Sequence, residues 1–140
     1  MTKLILLADD DSDDRLFFGE ALSRCAAFPC ELVTAMDGEE VFKKLAGMKF
    51  EGLPDLIVLD QNMPLLNGRD TMQRLRALAQ FSHIPVVIYS TYNDSTFIST
   101  CERLGAQAVL SKPDSFEGYV EMVKEVLSHV PGRRAVEISA

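Results

Sequence analysis

A chain of 140 residues with 47% hydrophobic and 25% charged side chains has the size and composition of one ordinary globular domain with a sizeable core. Its net charge of −7 argues against direct nucleic-acid binding, and no apolar run approaches the roughly 20 residues that span a bilayer. The opening stretch MTKLILLADDD lacks a small-residue cleavage site and turns acidic at once, so it does not read as a signal peptide and the expected location is cytoplasmic.

In chain order, the first strand is expected at KLILLA (3–8). Phe17, Phe18, Ala21, Leu22 and Cys25 then repeat at helical spacing, after an Asp/Ser-rich start that suits an N-cap and the helix dipole. A second strand follows at ELVTA (31–35), and Val41, Phe42 and Leu45 make a helical stripe after Asp37-Gly38. The third strand, DLIVLD (55–60), leads to Met72, Leu75 and Ala79 after Asn67-Gly68. The fourth, PVVIYS (85–90), precedes Phe97, Cys101 and Leu104, a stripe that stops at Gly105. The fifth, QAVLS (107–111), precedes Phe116, Val120, Val123, Leu127 and Val130, closed by Pro131-Gly132.

Most of the strand candidates lack strict alternation, as expected where a parallel sheet is covered on both faces. Five β-α pairs in alternation imply an α/β fold with a doubly wound parallel sheet and right-handed crossovers. The domain is expected over residues 1–130. The tail PGRRAVEISA (131–140) is too short for a second domain, and part of it is expected to be disordered. Cys25, Cys30 and Cys101 form an odd set with no C-x-x-C spacing and read as reduced core thiols. His83 and His129 have no ligand-like neighbours in the sequence.

Open α/β sheets bind their ligands at the carboxyl ends of the strands. Asp9 and Asp10 stand at the end of the first strand, and Asp60, Gln61 and Asn62 at the end of the third. Ser90 and Thr91 end the fourth, and Lys112-Pro113 follow the fifth. Taken singly, each has an ordinary reading: Asp10 or Ser12 as a helix cap, Asp60 as a turn residue, Ser90 as a strand-end hydroxyl, Lys112 as a surface charge. Convergence from four strands on one edge argues against all of these holding at once. Asp9, Asp10 and Asp60 against Lys112 leave two negative charges in excess, which a divalent cation cancels. Hard oxygen donors without Cys or His favour Mg²⁺, with Mn²⁺ able to substitute. A carboxylate beside such an ion can attack phosphorus and form an acyl phosphate, with Lys112 and Ser90 holding phosphoryl oxygens.

The stretches LLADDDSDD, DLIVLDQNMPLLNG, PVVIYST and SKP resemble the receiver domain of two-component response regulators, over roughly residues 3–130. The short chain further resembles stand-alone receivers of the chemotaxis and phytochrome-associated type. The resemblance implies a flavodoxin-like five-stranded sheet in the order 2-1-3-4-5. Asp60 matches the phosphoacceptor, supplied from the phosphohistidine of a sensor histidine kinase or phosphotransfer protein. Asp9 and Asp10 match the acidic pair that organises Mg²⁺, and the backbone carbonyl of Asn62 matches a further metal ligand. Ser90, followed by Thr91, matches the switch hydroxyl, and Lys112 the phosphate-binding lysine. The Lys112-Pro113 bond is expected to be cis. Output would pass to a downstream protein that the sequence does not name, through a surface that also mediates homodimerisation in some relatives.

One position departs from the family pattern. Where receivers carry Tyr or Phe three residues before the lysine, this chain has Val109, so the usual aromatic readout is missing. Tyr92 is the nearest aromatic to substitute for it, or to gate the site.

Three other readings compete. A flavodoxin-like electron carrier shares the strand order, but ADDDSDD would repel a flavin phosphate. A phosphatase working through an aspartyl phosphate needs a second Asp where Asn62 stands. A receiver-fold scaffold that binds partners without phosphorylation would suit a lost switch at Val109, although the five site residues are all present.

Overall fold

The computed structural model describes residues 2–132; the greater part of the expected tail lies outside the described residues. The strands are β1 (Lys3–Ala8), β2 (Cys30–Ala35), β3 (Leu56–Asp60), β4 (Val86–Ser90) and β5 (Ala108–Ser111). Between and after them run α1 (Ser12–Cys25), α2 (Gly38–Ala46), α3 (Gly68–Ala77), α4 (Ser95–Arg103) and α5 (Phe116–Leu127). All four strand pairings are parallel, in the order β2-β1-β3-β4-β5. No described helix is long and apolar enough to cross a membrane.

The period-2 geometry of a strand sends alternate side chains to opposite faces. Leu6, Ala8, Ile57, Leu59, Val86 and Ile88 pack with Val41 and Leu45 of α2, Met72 and Leu75 of α3 and Cys101 of α4. Ile5, Leu7, Leu56, Val58, Val87 and Tyr89 pack on the other face with Phe18, Ala21 and Leu22 of α1 and with α5. Both faces of the central strand are therefore covered, which is why LIVLD shows no polar alternation: all five of its residues are buried. Cys101 is buried in the first core, and Cys25 and Cys30 are half-buried free thiols.

The helices start where short polar side chains can satisfy their first N–H groups. Asp11 accepts from Asp13 N and Asp14 N, Asp37 from Glu40 N, Asn67 from Asp70 N, Asp94 from Phe97 N and Ser115 from Gly118 N. The first of these bears out the Asp/Ser-rich start as a cap and places it on Asp11, not on Asp10 or Ser12, so the ordinary reading of those two residues does not hold. Asp11 holds the extended backbone that a cap requires, while Ser12 is already inside the helix.

Two helical stripes also differ from expectation. Ala79 falls beyond α3, which ends at Ala77. On α5 the buried set is Tyr119, Met122, Val123, Val126 and Leu127, whereas Phe116 and Val120 are only half-buried at the rim of the same core. The helix turns Tyr119 inward because its ring has large apolar area to bury. At Gly68, a Cβ would stand 2.7 Å from Asp60 O, so only glycine lets α3 begin against the end of β3. Gly105 ends α4 with φ +113°, the left-handed conformation of a glycine C-terminal stop.

Candidate functional site

Three strand ends and the start of one helix build a single acidic pocket. Asp9 follows β1 and is 0% exposed. Its Oδ1 accepts the Asp11 N–H at 2.9 Å, so the turn into α1 fixes the carboxylate. Asp60, 1% exposed, ends β3 and accepts the Asn62 N–H on Oδ1 at 3.2 Å. Asp10 stands exposed at the rim. One carboxylate oxygen each from Asp9, Asp10 and Asp60 lies within 4.8 Å of the others.

Lys112, just past β5, answers this charge. Its Nζ is 2.7 Å from Asp14 Oδ2, 3.1 Å from Asp60 Oδ2 and 3.2 Å from Asp9 Oδ2. Burial works against its charge, but these carboxylates outweigh burial and hold the ammonium above its usual range. Asp60 is moved up as well, which for a carboxyl disfavours the charged form. Burial and the neighbouring Asp9 charge push its pKa up to about 6, against the pull of Lys112 and the Asn62 N–H. Three hard-oxygen ligands on one rim, with one ammonium among four carboxylates, have the donor chemistry and charge deficit of a divalent-cation site.

The other expected residues stand around this centre. Ser90 is buried at the end of β4, but its hydroxyl is engaged in its own loop, accepting from Tyr92 N and donating to Tyr92 O, both at 3.2 Å. Thr91 and Asn62 are exposed at the mouth. Tyr92 projects outward with 75% of its surface exposed, away from any closed position over the pocket. Val109 is half-buried in β5 and packs on the α2, α3 and α4 side. The Lys112-Pro113 bond, expected to be cis, is trans, since none of the described peptide bonds is cis. Trans is the lower-energy X-Pro isomer by about 0.5–1 kcal/mol, and here the Lys112 N–H reaches Ser90 O at 2.9 Å with the bond in that form.

Two contributors went unnoticed in the sequence. Asp14 makes the shortest contact to Lys112, and the signal for it was present in DDDSDD. One turn into a helix capped at Asp11, position 14 faces the strand ends. Tyr89 is the second. It is fully buried on the α1 and α5 side, in register with Asp60 on β3, and its hydroxyl donates to Asp9 Oδ2. Its ring lies beneath Lys112, with Nζ 5.2 Å from the centroid. Tyr119, on the same side, ends in a buried hydroxyl that has no hydrogen-bond partner among the described residues.

Known proteins resemble this chain in sequence and fold. The family model described as response regulator receiver domain matches residues 5–124. The two-component response regulator ORR1 of Oryza sativa subsp. japonica is 31% identical over 78% of this chain and 48% of its own length. The transcriptional regulatory protein PrrA of Mycobacterium tuberculosis is 34% identical over 88% of this chain and 49% of its own. This chain thus spans about half the length of these relatives. Among solved structures, the phosphorylated cyanobacterial phytochrome response regulator RcpA superposes with TM-score 0.82 at 28% identity, covering 94% of this chain and 96% of that one. The Mn²⁺-bound form of response regulator Rcp1 superposes with TM-score 0.79 at 25% identity, covering 93% and 96%. Fold, site geometry and family match agree: this chain belongs to the response regulator receiver domains.

Proposed function

We propose that the chain accepts a phosphoryl group on Asp60 from the phosphohistidine of a histidine kinase or phosphotransfer protein, in a Mg²⁺-dependent reaction. The phosphorylated state then controls binding of a downstream protein in the cytoplasm. The observation that carries this reading is the placement of Asp60. It is a buried carboxylate, delivered by an apolar strand to a rim where two further carboxylates and one ammonium lie around it.

In the transfer, an Asp60 oxygen attacks phosphorus, the P–O bond forms, and the P–N bond breaks with its electron pair leaving on the imidazole nitrogen. A pKa near 6 leaves Asp60 ionised, and so nucleophilic, at neutral pH. Asp9, Asp10, Asp60 and the backbone carbonyl of Asn62 would hold the metal. Mg²⁺, when bound, offsets charge on the phosphoryl oxygens, and Mn²⁺ serves the same chemistry, as it is bound in Rcp1. Lys112 exchanges carboxylate contacts for a phosphoryl oxygen. Ser90 gives up Tyr92 to do the same, which releases the loop leading to α4 at Ser95, shifts the loops after β4 and β5, and changes the surface of α4. That surface is where we place the downstream partner and any second copy of the chain. Water later attacks phosphorus, the bond to Asp60 breaks, and inorganic phosphate leaves. The chain acts on no external substrate; it assists only its own modification and reversal.

Acetyl phosphate with Mg²⁺, followed by intact-mass measurement and peptide mapping, tests this. One phosphoryl adduct on Asp60, lost without the metal and lost in Asp60→Asn, is expected. An unmodified Asp60 under those conditions would favour a phosphorylation-independent scaffold. Label at another residue would refute the assignment.

A further inference from the structure

Tyr89 is a side chain of the site that the proposed chemistry leaves unused, and its role follows from the residue it touches. Asp9 is fully buried and must have its lone pairs satisfied from inside the protein. Oδ1 takes the Asp11 N–H, and Oδ2 takes both Lys112 Nζ at 3.2 Å and the Tyr89 hydroxyl. Of these donors, Lys112 is shared with Asp14 and Asp60. Tyr89 is given wholly to Asp9: its phenol has this one acceptor, and its ring is locked in the α1 and α5 core.

A side chain that only filled this space would carry no hydroxyl. Val86, Val87 and Ile88, the three strand residues before it, fill their space with hydrocarbon. The ring also lies beneath Lys112, so one residue supports the buried carboxylate and the ammonium together.

We propose that Tyr89 is a positioning residue of the metal site, whose hydroxyl orients Asp9 for the divalent ion and keeps it satisfied when Lys112 turns to the phosphoryl group. The proposal rests on the reading of the pocket as a Mg²⁺ site. Donors that hold a metal ligand from behind change metal affinity by about 10–100-fold when removed.

Calorimetric titration with MgCl₂ alone, on the metal-free protein, tests the idea. Tyr89→Phe keeps the ring and removes the O–H, and is expected to weaken Mg²⁺ binding by about 10–100-fold. Asp9→Asn combined with Tyr89→Phe is expected to bind no more weakly than Asp9→Asn alone, because the hydroxyl acts only through that carboxylate. In the unmodified protein, Mg²⁺ is expected to shift the tyrosine absorption band, and the shift should vanish in Tyr89→Phe. Unchanged affinity in Tyr89→Phe, additive losses in the double variant, or a silent tyrosine band on saturation would each overturn the proposal while the Mg²⁺ reading stands. A parent protein that binds no Mg²⁺ would overturn both.

Discussion

Lys112 Nζ lies closer to Asp14 Oδ2, at 2.7 Å, than to Asp60 Oδ2, at 3.1 Å. Without phosphate, then, the lysine is drawn toward α1 at least as strongly as toward the proposed acceptor. Removing Asp14 takes one negative charge from the pocket and returns Lys112 to Asp60, and both effects favour ionised Asp60. In metal-free Asp14→Asn, the Asp60 pKa is expected to fall below about 6, through the stronger hold of Lys112 on it. Carboxyl ¹³C chemical shifts followed through a pH titration measure it directly.

Asp60 itself sets a pH dependence. Its folded pKa, raised from 3.8 to about 6, means that the folded state binds more protons than the unfolded state between those values. Stability from this group therefore falls as pH rises through that window, by about 3 kcal/mol in all. Metal-free Asp60→Asn should gain on the parent across the same interval and hold a constant lead above pH ~6. Urea unfolding at a series of pH values checks this, and saturating Mg²⁺ should shrink the lead.

Lys112→Met leaves Asp9 and Asp60 buried without their cation. A loss of about 3 kcal/mol is expected at pH ~8 in chelator. Adding Mg²⁺, or lowering the pH until Asp60 protonates, should restore most of it. A loss indifferent to both would point to packing as its cause.

The Ser90 hydroxyl currently ties down the backbone of Tyr92. Ser90→Ala is expected to cost about 1 kcal/mol and still to accept phosphate on Asp60. What it should lose is the response of the loop. Amide shifts from Tyr92 to Phe97, recorded with and without acetyl phosphate, should move in the parent and stay nearly still in the variant.

Tyr92 stands free in solvent, so Tyr92→Ala should change stability by less than about 0.5 kcal/mol. If the ring folds over the phosphorylated pocket, the same variant loses its phosphoryl group severalfold faster. Equal hydrolysis rates and equal partner binding would remove Tyr92 from the mechanism.

The inner strands were readable because burial on both faces leaves a plain trace, an apolar run that leads to a polar residue, and half-buried β5 ends its shorter run the same way. Asp9, Asp60, Ser90 and Lys112 could be placed from that trace alone, since each directly follows or ends such a run. Tyr89 could not. Strand parity gives its face, but the reach of its hydroxyl to Asp9 crosses from β4 over β3 to the end of β1, a distance set by sheet packing. Asp14 was hidden among like residues, and only the helix start at Asp11 singles it out. On α5, two rims of one apolar stripe compete, and Tyr119 decided the rotation. The trans Lys112-Pro113 bond reverses an expectation drawn from resemblance rather than from the residues.

The five helix caps have an effect of their own. Asp11, Asp37 and Asp94 each spend a carboxylate on the same edge of the sheet that carries Asp9, Asp10, Asp14 and Asp60. That edge is therefore anionic whatever the state of the pocket. Free orthophosphate approaching it meets an adverse field, and so does orthophosphate newly released there. The consequence is a kinetic bias: small phosphate anions enter this edge more slowly at low ionic strength, where screening is weak, than in high salt.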